Sequence, residues 1–400
     1  MPLEGPPIAH GAVLVDERGR IAAVGRGADF PAQDLPTTAF TDAVLLPGLI
    51  NCHTHLELTG LDHSIAADDF PSWIRQLIAL KASRPPEQVL AAARQGIRDC
   101  WATGVTTVAD TGDSGAVIQA LHELGGSGIA YHEVFGPDPA LCDQQFSQWA
   151  TRLAELRRYS GPRIRLGASP HAPFSVSGPL YGRVAQYAER EGLPLAVHLA
   201  ESAEETALLG EASGGFARMW ESRGIPRPAL PGRTPVQWLD QHAVLGPETL
   251  CIHTVRVDQA DIAILGRRRV GIAHCPRSNR AHRHGDAPLR KLVDAGLRIG
   301  VGTDSVASVA PLDLRAEAQA ARELAGLTAD QALDLMTRGA ARALGLEREI
   351  GSLVPGKWAD LAVFRLPGEV DADQLSDRLL SLPNDACVAT LIGGDTVYSR

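Results

Sequence analysis

From about Gly48 onward, short apolar runs alternate with longer segments in which apolar residues recur at helical spacing. The runs are LINCH ending at His53, VTTVAD ending at Asp110, IAYHEVF ending at Phe135 and RIRLGASP ending at Pro170. They continue with PLAVHL ending at Leu199, LCIHT ending at Thr254, VGIAHCP ending at Pro276 and RIGVGTD ending at Asp304. Each is rich in Val, Ile, Leu and Ala and lacks polar alternation in its middle, as a strand buried on both faces of a parallel sheet requires. Between them, segments such as 86–104 and 179–192 carry the apolar spacing and terminal Gly of helices. Eight strand–helix units in succession predict a closed barrel rather than an open sheet.

The flanks follow another pattern. GAVLVDERGRIAAVG (11–25) reads as a hairpin with Gly19 near its turn, and 351–366 and 386–399 read as further strands. The expected fold is therefore α/β: a distorted (β/α)8 TIM barrel over 47–347, with a small β-sandwich built from 1–46 and 348–400. The abrupt start at MPLEGPP suggests that an initial strand of the sandwich is short or missing. Four hundred residues suit a barrel of about 250 residues or more with such an addition.

Composition narrows the function. A formal charge of −9 argues against non-specific nucleic-acid binding, which needs clustered basic side chains. Six Cys without a C-x-x-C pair predict reduced, buried thiols rather than a disulfide framework. The N-terminus lacks a basic stretch followed by an apolar one, and no apolar run approaches about 18 residues. The expectation is a cytoplasmic protein acting on a small molecule, with no nucleic-acid or membrane partner and a homodimer as the compatible assembly.

The polar residues at the ends of the runs carry the chemistry. His53 ends the first run and His55 follows in H-T-H, so on an extended segment both imidazoles face one way. His198 falls at the end of the fifth run, His253 of the sixth and Asp304 of the eighth. All lie at C-terminal strand ends, where barrel active sites are built. One such His is a weak signal; five metal-compatible residues on four strand ends form a donor set suited to Zn²⁺ or a similar divalent ion.

PGLINCHTHLEL (47–58), HLAES (198–202), HCPRSN (274–279) and GTDS (302–305) resemble the signatures of the amidohydrolase superfamily, in its mononuclear deaminase branch. LTADQALDLMTRGAARALGL (327–346) and IGSLVPGKWADLAVF (350–364) resemble that branch's closing helices and returning β-sandwich, so the likeness runs from about Gly11 to Ser399. The resemblance implies one divalent metal, Zn²⁺ first with Fe²⁺ or Mn²⁺ as alternatives, held by His53, His55, His198 and Asp304. Binuclear relatives bridge two metals with a carboxylated Lys at the end of strand four; here that strand ends in GASPHAP, and Lys81, Lys291 and Lys357 all lie elsewhere.

By the same resemblance Glu201, in H-x-x-E, shuttles a proton between the activated water and a ring nitrogen of the substrate. His253 steadies the tetrahedral intermediate, and Asp304 also orients the nucleophile. His171 matches a His that contacts substrate near the sugar. Trp73 stands as a candidate pocket wall, and Glu57, Arg277, Ser278 and Asn279 as candidate substrate contacts near the site. His10, His63, His122, His132, His242, His282 and His284 fall into no interpretable spacing. R-R-R at 267–269 reads as a solvated helix end.

HTHLEL, SPHAPF and CPRSN together look most like the aminodeoxyfutalosine deaminases of menaquinone biosynthesis. The alternatives are deamination of S-adenosylhomocysteine, methylthioadenosine or guanine, or hydrolysis of another C–N or C–Cl bond. A non-catalytic scaffold on the same fold is the rival from a different class. The H-x-E…P-C-x-x-C pattern of the other zinc deaminase fold is absent.

Overall fold

The computed structural model describes residues 1–30, 36–227, 232–368 and 370–400. A hairpin opens the chain: β1 (Gly11–Val15) pairs antiparallel with β2 (Ile21–Arg26), and Gly19, with φ near +75°, makes the turn between them. β3 (Ala43–Pro47) then leads directly into the barrel.

The eight apolar runs form eight strands. They are β4 (Leu49–Thr54), β5 (Val105–Gly112), β6 (Ser127–Val134), β7 (Ile164–Pro170), β8 (Leu195–Leu199), β9 (Thr249–His253), β10 (Gly271–His274) and β11 (Arg298–Val301). They pair in parallel in sequence order. The sheet closes through a parallel bridge between Thr54 and Asp304. The result is a distorted (β/α)8 barrel. Two runs stop two or more residues short of the predicted end: Pro276 begins a helix (Pro276–Ala281) rather than ending β10, and Asp304 lies three residues past β11.

α1 (Phe70–Ser83) is capped by Asp69, which accepts from the Ser72 N–H at 2.7 Å; α2 (Pro86–Ala102) starts at Pro86 and stops before Gly104, whose φ is +86°. Strand side chains Ile50, Cys52, Ile129, Tyr131, Leu250 and Ile252 pack in one cluster with Ala340, Ala341, Leu344 and Ile350. Each fully buried Ile or Leu there contributes about 1.5–3 kcal/mol.

The chain finishes in β12 (Leu361–Arg365), β13 (Cys387–Ile392) and β14 (Asp395–Ser399), which form an antiparallel sheet in the order β14-β13-β12-β3. A bridge from Arg20 to Trp358 ties the hairpin to this segment, so both termini contribute to the small β unit. All six Cys are free and buried. Among the described residues, no helix is long and apolar enough to cross a membrane.

Candidate active site

The site is built where the barrel closes. Gly302 sits so close to β4 that a Cβ on it would lie 2.6 Å from the His53 nitrogen, so only glycine lets β11 reach the strand carrying His53. Two residues on, the Asp304 N–H donates to the His53 carbonyl at 3.0 Å. Asp304 (φ +58°), His253 (φ +69°) and Ala200 (φ +52°) are non-glycine residues in left-handed backbone. Each such position costs of order 1–3 kcal/mol and persists where the surroundings over-determine it, typically at a functional site.

The closure brings four donors together. Ring nitrogens of His53, His55 and His198 lie within 4.8 Å of one another. Asp304 Oδ1 is 3.5 Å from His53 Nε2 and 3.6 Å from His55 Nε2. The far nitrogens are fixed: His55 Nδ1 is 2.8 Å from the Thr111 carbonyl oxygen, and His198 Nδ1 is 3.2 Å from that of His171. Those contacts orient both rings with Nε2 inward. Burial lowers the pKa of all three imidazoles, His55 to about 3, which keeps their lone pairs free. Burial alone would raise Asp304, but the His53 imidazole beside it, then His55 and His253, hold it well below the usual carboxylate range. Buried His53 has no hydrogen-bond partner on either ring nitrogen, a costly arrangement unless an ion occupies the cluster. Neutral imidazoles and an ionised carboxylate fit a divalent cation.

Glu201 stands beside this cluster, its Oε1 3.5 Å from His253 Nε2 and 3.2 Å from His284 Nε2. Burial pushes its carboxyl up, yet the His253 and His284 imidazoles outweigh that and bring it to about 2. Buried Glu205 accepts the backbone N–H of Ala200 at 2.8 Å and of Glu201 at 3.1 Å, fixing the turn that follows His198. His253 Nδ1 lies 2.9 Å from Asn279 Oδ1, and the Ser278 hydroxyl donates to Asp304 Oδ2 at 2.5 Å.

A cavity of about 890 Å³ opens onto these groups and is lined by His55, His198, Glu201, His253 and Asp304. His171, Trp73 and Glu57, expected near substrate, also line it. His171 Nδ1 meets the Ser175 hydroxyl at 2.7 Å, and Trp73 lies against His282 with centroids 4.6 Å apart. Arg277, Ser278 and Asn279 are not among the lining residues. Ser278 and Asn279 stand behind Asp304 and His253, and the Arg277 guanidinium turns to the Pro311 carbonyl oxygen at 3.2 Å.

Several site residues have no sequence spacing to mark them. Lys81, on α1, reaches Glu57 at 2.9 Å and Asp113 at 2.8 Å, and these carboxylates overcome burial to raise its pKa. Glu133, at the end of β6, lines the cavity 4.0 Å from His171 Nε2, and burial pushes its carboxyl well up. Its place in the run IAYHEVF was the available signal. His284 had none.

A (β/α)8 barrel with a His/Asp cluster at its closing seam defines the class as metal-dependent hydrolases. The chain belongs to the amidohydrolase family, whose model matches residues 44–397, and is a hydrolase acting on carbon–nitrogen bonds. It is similar to a 5-methylthioadenosine/S-adenosylhomocysteine deaminase of Moorella thermoacetica, with 32% identity over 98% of this chain and 90% of the relative. It is also similar to an aminodeoxyfutalosine deaminase of Deinococcus radiodurans, with 33% identity over 70% of this chain and 68% of the relative. Among solved structures, an adenosine deaminase of Xanthomonas campestris with bound zinc superposes with a TM-score of 0.85 at 25% identity, covering 99% of this chain and 90% of that one. Family and donor cluster together make this a divalent-metal site.

Proposed function

We propose that this hydrolase deaminates an adenosine-like compound, with aminodeoxyfutalosine as the leading substrate. The observation that carries the reading is the position of Glu201, whose carboxylate stands 3.5 Å from His253 and in the same cavity as the His/Asp cluster. One ion, zinc by its nitrogen and oxygen donors, would be held by His53, His55, His198 and Asp304 and would bring the pKa of water to about 7.

The chain's own groups then move protons. Glu201 takes a proton from the attacking water and passes it to the ring nitrogen beside the attacked carbon. Asp304 aligns the water, and His253 hydrogen-bonds its oxygen as the carbon becomes tetrahedral. The C–N bond to the exocyclic amine breaks, and ammonia leaves with the second proton of the water. His171 and Trp73 would bound the substrate.

The cavity lining includes the apolar Ile74, Leu77, Val89 and Leu90 together with the cationic Lys81, Arg84, Arg152 and Arg223. Apolar side chains beside several cations suit an aromatic arm bearing a carboxylate, as in aminodeoxyfutalosine. The near full-length likeness to the Moorella enzyme favours methylthioadenosine or S-adenosylhomocysteine as the second substrate reading. Ammonia release and loss of adenine absorbance across aminodeoxyfutalosine, methylthioadenosine, S-adenosylhomocysteine and adenosine test the function. Turnover of simple amides with no adenosine derivative deaminated would overturn it.

A further inference from the structure

We propose that His284 is a positioning residue: it anchors one oxygen of the Glu201 carboxylate so that the other faces the water and the substrate ring. This rests on Glu201 being the proton carrier.

The contact is specific. His284 is 2% exposed, and its buried Nε2, which has no aligned hydrogen-bond partner, stands at ion-pair distance from Glu201 Oε1, 3.2 Å, nearer than His253 Nε2 at 3.5 Å. The chain reverses at Arg283 (φ +58°), and the His284 backbone N–H donates to the Asn279 carbonyl at 2.9 Å, turning the imidazole inward. The Phe70 ring, at the start of α1, packs T-shaped against the imidazole with centroids 4.6 Å apart and planes at 82°, which restricts its tilt. His284 does not line the cavity, whereas Glu201 does, so the imidazole supports the carboxylate from behind.

The last torsion of a Glu side chain is broad and nearly two-fold, so a carboxylate held only by its stem samples many orientations. An imidazole nitrogen held at ion-pair distance from one oxygen restricts that freedom, and an N–H that closes onto a carboxylate is roughly twice as strong a bond as a neutral one. The Glu201 backbone is already fixed through Glu205; His284 supplies the missing restraint at the other end of the side chain. The same segment carries Ser278, bonded to Asp304, and Asn279, bonded to His253. The stretch after β10 thus contacts Glu201, His253 and Asp304, which come from the ends of three other strand segments.

The test uses the metal-replete enzyme and its best adenosine-derived substrate. His284→Ala should lower kcat by about 10–100-fold, the usual cost of losing such a supporting contact. KM should move by less than about 3-fold, because substrate binding does not use this contact. His284→Gln, which keeps an N–H donor, should recover most of the loss. Affinity for a coformycin, a nucleoside with a tetrahedral hydroxyl-bearing ring carbon, should fall with kcat while metal content stays unchanged. In a Glu201→Gln background, His284→Ala should cost nothing further.

Undiminished kcat in His284→Ala would overturn the proposal, as would equal losses in the Ala and Gln variants or a full additional loss in the Glu201→Gln background. If the Ala variant does not fold, failure of a folded His284→Gln to keep near-parental kcat overturns it. Absence of deamination by the parent, or an undamaged Glu201→Gln, would instead remove the functional reading on which the role rests.

Discussion

Asp304 donates its backbone N–H to the His53 carbonyl at 3.0 Å, while the two side chains approach to 3.5 Å between Oδ1 and Nε2. The hydrogen bond that closes the barrel and the donor cluster therefore join the same two residues. Gly302 makes the approach sterically feasible. Gly302→Ala should force the strands apart, lowering stability by about 1–3 kcal/mol as overpacking does, and weakening metal retention with it. Thermal melting and metal analysis of the variant check both effects; unchanged values would separate the seam from the site.

On the proposed mechanism, Glu201→Gln removes the proton carrier while keeping the shape. Turnover should fall by roughly 10²–10⁴-fold with metal content intact, as expected for loss of a general acid–base. Steady-state ammonia release beside elemental analysis measures this. Near-normal activity would take Glu201 out of the mechanism.

The Ser278 hydroxyl donates to Asp304 Oδ2 at 2.5 Å and does not line the cavity, so on the proposed mechanism it acts through Asp304. Ser278→Ala should cost about 10–100-fold in metal affinity or turnover. A KM effect alone, at full metal occupancy, would argue that Ser278 touches substrate after all.

Burial raises Glu317 from 4.5 to about 8, only partly offset by the Arg277 backbone N–H at 3.0 Å and its guanidinium. A raised folded pKa means that the native state holds a proton which the unfolded chain has lost. The resulting stability is complete below about pH 4.5 and disappears as pH rises through about 8. Relative to the parent, Glu317→Gln should therefore gain stability as pH rises from about 5 to about 8. Paired melting curves at the two ends check the sign, and a constant difference would contradict it.

Strand-end chemistry was legible because it is local. His53 and His55 share a face by spacing alone, and His198 and His253 end apolar runs that could only be buried strands. Asp304 was found although β11 stops at Val301, since the run continued in pattern beyond the last ladder bond. Ser278 and Asn279 fell near the site by sequence position, but the helix beginning at Pro276 turns both behind the reactive groups. His284 and Lys81 were illegible for another reason. Their partners, Glu201 and Glu57, come from other loops, and no spacing rule encodes which loops meet over the mouth of a barrel.

The most direct measurement is ammonia release from aminodeoxyfutalosine and related adenosine derivatives by protein whose metal content is determined in the same sample. About one divalent ion per chain, with turnover lost on chelation and restored by zinc, is the expected result. A well-occupied second ion, or steady deamination after the metal is stripped, would contradict the convergence of His53, His55, His198 and Asp304 on a single reactive centre.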